Sequence, residues 1–178
     1  MAILLAKKFY DTNVIGLDPS DKMLKIAKEK IKNNFLEKKV KVIQGYSQKI
    51  PFENNTFDVV TIAFGLRNFQ SFHLSFKEIY RILNPLGILE IMEFSNPSNI
   101  YVKEFYHFYS HFILPKIGNF LSKNHFAYNY LEKSIKSFSY SYYGKKMKKF
   151  LKYHRFKTIY TKELTCGIVS IYLSKKIV

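Results

Sequence analysis

Arg67 and Asn68 follow directly on a strand-like run, Phe57-Asp58-Val59-Val60-Thr61-Ile62-Ala63-Phe64, that breaks at Gly65. A guanidinium in that place is chemically useful: it is always charged, offers a planar fork of donors, and stabilises an oxyanion that develops during a reaction. Val59 to Ala63 is almost continuously apolar, which predicts a strand covered on both faces, as in a parallel sheet. Ligands of such sheets bind beyond the carboxyl ends of the strands, where these two residues would lie. The competing role for Arg67 is an ion pair with an acid that pins the loop. Asn68 either orients Arg67 or caps the turn.

Other side chains are weighed in the same way. Asp18 ends an apolar segment and precedes Pro19-Ser20. An acid there is the type that takes ribose hydroxyls in nucleotide folds, and equally the type that makes an ordinary turn. Glu93 ends another apolar segment, so it either reaches a ligand or makes a structural hydrogen bond. Glu104, His107 and His111 share a helix face, but no further ligand pair joins them, so polar residues on a solvated or lid helix are a better reading than a metal site. The stripe Phe105, Phe108, Tyr109 and Phe112 lines a pocket for an apolar tail or, by default, packs in the core. Cys166 reads as a small buried residue.

The elements that must position these groups alternate. Residues 13–18 predict a strand. Ser20 then caps a helix to about residue 33, with Asp21 well placed in its first turn. Residues 40–45 form the next strand, 51–56 a turn, and 58–64 a third strand. A helix over 71–83 carries Phe72, Phe76, Ile79, Tyr80 and Leu83 on one stripe. Asn84-Pro85-Leu86-Gly87 stops it, and 88–94 is a further buried strand. This rhythm predicts an α/β domain with a parallel sheet. Residues 99–121 read as aromatic and helical with a bend at Pro115, and 126–138 and 141–154 as further helices. Residues 156–164 and 167–174 alternate like a closing antiparallel hairpin.

Composition bounds the setting. The 178 residues predict one domain, and a single cysteine excludes a disulfide framework and fits a reducing cytoplasm. No apolar run approaches the roughly 20 residues of a bilayer span, and Ala2 to Ala6 is too short for a signal-peptide core. The net charge of +16 invites a nucleic-acid partner. Yet Arg67, Arg81 and Arg155 are the only arginines, and the lysines come with Asn, Ile, Phe and Tyr, the residues of A/T-rich codons. No RNP, zinc-finger or helix-turn-helix signature is present, so nucleic acid is not expected. The Lys145 to Lys152 cluster reads as the solvated face of a helix, with an anionic membrane surface as the second reading.

Several motifs resemble one family. Gly16-Leu17-Asp18-Pro19-Ser20, Met23-Leu24, Gly45 with Pro51-Phe52, and Thr56-Phe57-Asp58-Val59-Val60 are similar to class I S-adenosylmethionine-dependent methyltransferases. Phe64-Gly65-Leu66-Arg67-Asn68, Tyr80-Arg81-Ile82-Leu83-Asn84-Pro85 and Glu93-Phe94-Ser95-Asn96-Pro97 narrow this to the quinone C-methyltransferases of menaquinone and ubiquinone synthesis, as do Tyr128 to Ile135 and Leu164 to Val169. The resemblance implies a Rossmann-like class I methyltransferase fold, mostly parallel with an antiparallel C-terminal hairpin. It implies S-adenosyl-L-methionine as cofactor, bound by Asp18, Met23, Tyr46, Ser47 and Ala63, and a prenylated quinol as substrate, with Arg67 and Asn68 catalytic. Its first strand and glycine-rich loop are expected to be absent, with Met1 to Phe9 continuing the helix after that loop. The neighbours of that central strand would then carry unpaired backbone groups. Tyr46 stands where the family usually has Asp or Asn for the adenine amine. The expected setting is cytoplasmic, with peripheral contact at the inner membrane face. A remnant or subunit that binds no cofactor, a benzoquinol of the ubiquinone pathway, and a basic membrane- or nucleic-acid-binding module are the alternatives.

Overall fold

The computed structural model describes residues 1–95, 97, 99–102, 104 and 144–177. The helices expected over 99–121 and 126–138, with Pro115, His107, His111 and the stripe from Phe105 to Phe112, lie almost wholly outside the described residues.

A short helix α1 (Ala2–Lys8) leads into β1 (Val14–Asp18), α2 (Asp21–Asn33) and β2 (Val40–Gln44). β1 and β2 run parallel, with Asp18 opposite Gln44. Ser20 caps α2, its Oγ accepting from the Met23 amide, and Asp21 sits in the first turn. The apolar stripe of α2 buries Leu24 and Ile31.

β3 (Phe57–Ala63), α3 (Phe72–Ile82) and β4 (Leu83–Phe94) follow, then α4 (Lys145–Tyr153), β5 (Phe156–Leu164) and β6 (Val169–Lys176). These strands form a second sheet in the order β3-β4-β6-β5. β3 and β4 are parallel, while β6 runs antiparallel to both of its neighbours. The α/β architecture and the closing hairpin are as the sequence predicts. The strands nevertheless fall into two sheets, and among the described residues β1 pairs only with β2 and β3 only with β4.

That arrangement corrects one expectation. β3 is not covered on both faces: Val59 is 52% exposed and Asp58 is exposed, and among the described residues β3 is also the edge of its sheet. Leu83 to Gly87 is a second difference. α3 ends at Ile82 and Leu83 already pairs with Phe57, so the Asn-Pro-Leu-Gly stretch is an excursion inside β4 before Ile88 pairs with Val59. Gly87 is required there, since a Cβ would come within 2.9 Å of the Asn84 carbonyl and 3.1 Å of that of Asp58. Cys166 is the third: it is exposed, in a left-handed conformation (φ 54°) inside a one-turn 3-10 helix between β5 and β6. The tight turn sits at the surface and leaves the thiol exposed, against the usual burial of a free cysteine.

The main core joins α3, α4 and the four-stranded sheet through Phe76, Ile79, Leu83, Leu89, Ile91, Met147, Leu151 and Phe156. Leu17 of β1 packs on the same cluster, which links the two sheets. Lys176, at the end of β6, is buried against Tyr80 and donates to the Leu83 carbonyl and Asn55 Oδ1. Burial, together with the charge of Arg155, lowers its pKa from the ordinary value.

Candidate active site

Asp18 lies at the carboxyl end of β1, and its Oδ1 accepts from the Ser20 amide at 2.8 Å. The turn role is therefore real, and it fixes the carboxylate at the strand end with the other oxygen uncommitted among the described residues. Met23, in the first turn of α2, is 54% exposed, and Tyr46, just past β2, is 53% exposed. Gly45 permits the close passage of the loop between them, since a Cβ there would lie 2.6 Å from Leu17 Cδ1. A carboxylate acceptor near two exposed side chains with apolar bodies is an arrangement that fits the hydroxyls of a ribose and a flat heterocycle.

Ser47 leads from that loop into the second half of the site. Its Oγ is 2.8 Å from Ser75 Oγ, and the next residue, Gln48, donates to Gln70 Oε1 at 3.0 Å. These bonds tie the loop after β2 to the segment that follows Arg67. Sequence reading did not find them, because both are side-chain bonds across 28 and 22 residues of chain.

Ala63 closes β3 opposite Met92. Phe64 then takes a positive φ of 55°, which turns the chain out of the strand into a 3-10 turn over Leu66–Asn68. Leu66 is fully buried and anchors that turn. The adjacent Arg67 turns back on the end of β4. Its Nη1 lies 2.6 Å from Glu93 Oε1, with the two side chains 11% and 1% exposed. The loop-pinning role of Arg67 is thus present. The guanidinium also lies over the Phe94 ring, 5.2 Å from its centroid. Its Nε is buried and donates to no partner among the described residues. Asn68 is exposed, and its amide donates to the Gly65 carbonyl, so its backbone closes the turn. Beyond Glu93, Ser95 donates to the Gly167 carbonyl at 2.7 Å and pins the turn between β5 and β6 to the end of β4.

Asp18, Tyr46, Ser47, Ala63, Arg67 and Glu93 therefore all stand at or just past the carboxyl ends of parallel strands. Glu104 is exposed, and among the described residues no group of three or more His, Cys, Asp or Glu side chains could hold a metal ion. A separate concavity between α4 and the β5–β6 hairpin is lined by Lys145, Lys148, Lys162 and Tyr172 and includes none of these site residues.

The fold recurs in solved structures of low sequence identity. A SAM-dependent methyltransferase from Aquifex aeolicus matches 93% of this chain and 69% of its own, with a TM-score of 0.64 at 15% identity. One from Methanosarcina mazei matches 100% and 87%, with a TM-score of 0.65 at 18% identity. Sequence similarity reaches further. The demethylmenaquinone methyltransferase of Bacteroides fragilis is 33% identical over 175 residues, 98% of this chain and 70% of that protein. The ubiquinone/menaquinone biosynthesis C-methyltransferase UbiE of Rickettsia felis is 39% identical over 181 residues, 99% of this chain and 72% of that protein. The family model of the same proteins spans residues 1–176, nearly all of the chain, which therefore belongs to the ubiE/COQ5 methyltransferase family.

Proposed function

We propose that this chain methylates a ring carbon of a prenylated hydroquinone with S-adenosyl-L-methionine, converting a demethylmenaquinol to the menaquinol. The observation that carries the reading is the buried Arg67 beside the strand ends, with a donor to spare, in a chain of this family. S-adenosylmethionine, when bound, supplies an electrophilic methyl group on a sulfonium. The Asp18 carboxylate would take the ribose hydroxyls, with Met23 and Tyr46 against the adenosine and Ser47 and Ala63 shaping the floor. Arg67 would stabilise the ring oxygen as its proton leaves, which pushes electron density onto the adjacent carbon. The rest of the task is alignment of that carbon and, once the methyl group is on it, loss of its ring proton to solvent, which restores the aromatic hydroquinone. Asn68 completes the turn that presents Arg67.

The lysine-rich face of α4 supports a second element of the reading. Lys145, Lys146, Lys148, Lys149 and Lys152 are all exposed, while Met147 and Leu151 point inward. A prenylated substrate resides in a bilayer, and this face would draw the chain to anionic headgroups. Among the described residues no helix is long and apolar enough to cross a membrane.

Single-turnover methylation of a short-chain demethylmenaquinol, with the matching benzoquinol in parallel, tests the proposal. Product from the naphthoquinol that depends on S-adenosylmethionine is the expected result, and Arg67→Ala should lower the rate about 100-fold, as loss of one preorganised contact does. Product from the benzoquinol alone would reassign the ring. Cofactor binding without product from either ring would leave a non-catalytic subunit.

A further inference from the structure

We propose that Glu93 is a positioning residue that reserves the Nε–H of Arg67 for one ionised oxygen of the acceptor, so that the site selects a phenolate over the neutral phenol. The inference rests on the methyl-transfer reading above and adds to it the donor atom, the residue that aims it and the charge state it receives.

The two partners are satisfied to different degrees. Glu93 Oε1 accepts from Arg67 Nη1 at 2.6 Å and from the Phe94 amide at 3.0 Å, and Oε2 from the Arg67 amide at 3.4 Å. The carboxylate is held by side chain and backbone from both the strand end and the turn. Arg67 is not so complete, because its Nε is buried without a partner among the described residues. Buried donors are almost always paired, so a vacant one at a strand-end site marks where a ligand atom belongs.

The geometry restricts that ligand. In a guanidinium the Nε–H lies on the edge away from Nη1, the atom committed to Glu93. Phe94 covers one face of the plane, its centroid 5.2 Å from the guanidinium, so the free Nε–H donates in the plane and not through that face. The positive φ of Phe64 and the buried Leu66 fix the turn that carries Arg67. Before reaction the charges of Arg67 and Glu93 cancel. A neutral hydroxyl gains little from such a pair, whereas an oxyanion gains a charge-assisted hydrogen bond. The phenolic proton is released to water in this step, and no other bond changes.

The test uses the full chain, 4-nitrophenol as a chromogenic probe, and the methylation assay. For the parent protein, spectrophotometric titration should show the phenolate bound at least about 10-fold more tightly than the phenol, as a charge-assisted contact gives. Arg67→Met should bring that ratio to near one. Glu93→Asp keeps the charge but retracts it by one methylene; it should lose most of the preference and lower kcat, with KM for S-adenosylmethionine and the thermal midpoint nearly unchanged. The double variant R67M/E93L replaces the pair by apolar side chains, which folds tolerate better than one stranded charge. It should fold, show no preference, and be as slow as Arg67→Met alone. A merely structural pair would instead give an R67M/E93L protein with parental kcat, and that result overturns the proposal. So would a Glu93→Asp protein that keeps both preference and kcat, or a parent that shows no preference at all. A parent that prefers the phenolate through Arg67 yet methylates no quinol would keep this inference and remove the quinol reading.

Discussion

At the residue scale, Asp18 holds both roles that its position in the sequence allows. One oxygen closes the Asp-Pro-Ser turn and the other has no partner among the described residues. Asp18→Ala should therefore weaken S-adenosylmethionine by about 1.5–3 kcal/mol, the range for a hydrogen bond to a charged group. Asp18→Asn keeps the turn acceptor and separates loss of the turn from loss of the charge; calorimetric titration of both variants reads the difference. Arg67 was legible for the same reason as Asp18, a polar side chain just past an apolar run. Its partner was not, because Glu93 lies 26 residues away and meets it only through the parallel register that sets Ala63 beside Met92. Glu78 and Arg81 show a pairing that sequence does disclose, at i,i+3. Arg81 also reaches the carbonyls of Ile50 and Phe52 and so clamps the loop after β2. Its guanidinium holds the Glu78 carboxyl below the ordinary 4.5, with further help from the Ile50 amide. The stabilisation is full above that ordinary value and fades as pH falls through the lowered one. Glu78→Gln should accordingly flatten the acid limb of the thermal midpoint below about pH 4.5, and an unchanged limb would place the acid sensitivity elsewhere.

At the element scale, the helix starts were the most legible features. Ser20 caps α2 as the sequence predicts, accepting from Met23, while Ser71, read as the first residue of the next helix, is the cap of α3 and accepts from Leu74; Ser71→Ala should cost about 1 kcal/mol in denaturant unfolding. The ends were harder. Leu83 to Gly87 carries helix-stop residues, but whether a stop becomes a loop or an excursion within a strand depends on β3 lying alongside. The contact between α3 and α4 was not legible at all. His73 Nδ1 and His154 Nε2 are 3.0 Å apart, among the rings of Phe150, Tyr153 and Phe76. One imidazole must donate and the other accept, so the bond needs at least one neutral ring. Burial, and then the nearby His73, lowers the His154 pKa from 6.5. The folded state takes up that proton less readily than the unfolded chain, so stability is retained above about pH 6.5 and declines as pH drops toward the lowered value. His154→Asn should remove this decline below about pH 6.5, as read by thermal melts at successively lower pH.

At the scale of the whole molecule, the α/β class and the antiparallel closure were readable from periodicity, whereas the division into two sheets is a matter of pairing across the molecule. The apolar run from Val59 to Ala63 looked buried, yet it forms an edge. Hydrophobic pattern reports what a strand is suited to cover, not what lies beside it. The common core of α3, α4 and the larger sheet is where the chain is most sensitive: Phe76, fully buried, should cost about 3–5 kcal/mol on replacement by alanine, measured by urea unfolding. The strand order β3-β4-β6-β5 also governs timing. β6 lies between β4 and β5 although it is made after both, and the bond from Ser95 to Gly167 spans 72 residues of chain. While the polypeptide is still emerging from the ribosome, β4 waits with one side unpaired and β5 has no neighbour. The sheet closes only when β6 slides between them and delivers Lys176 to its buried partners. Synthesis is thus a period of exposure to proteases and to association between nascent chains, and it ends in one late, long-range step.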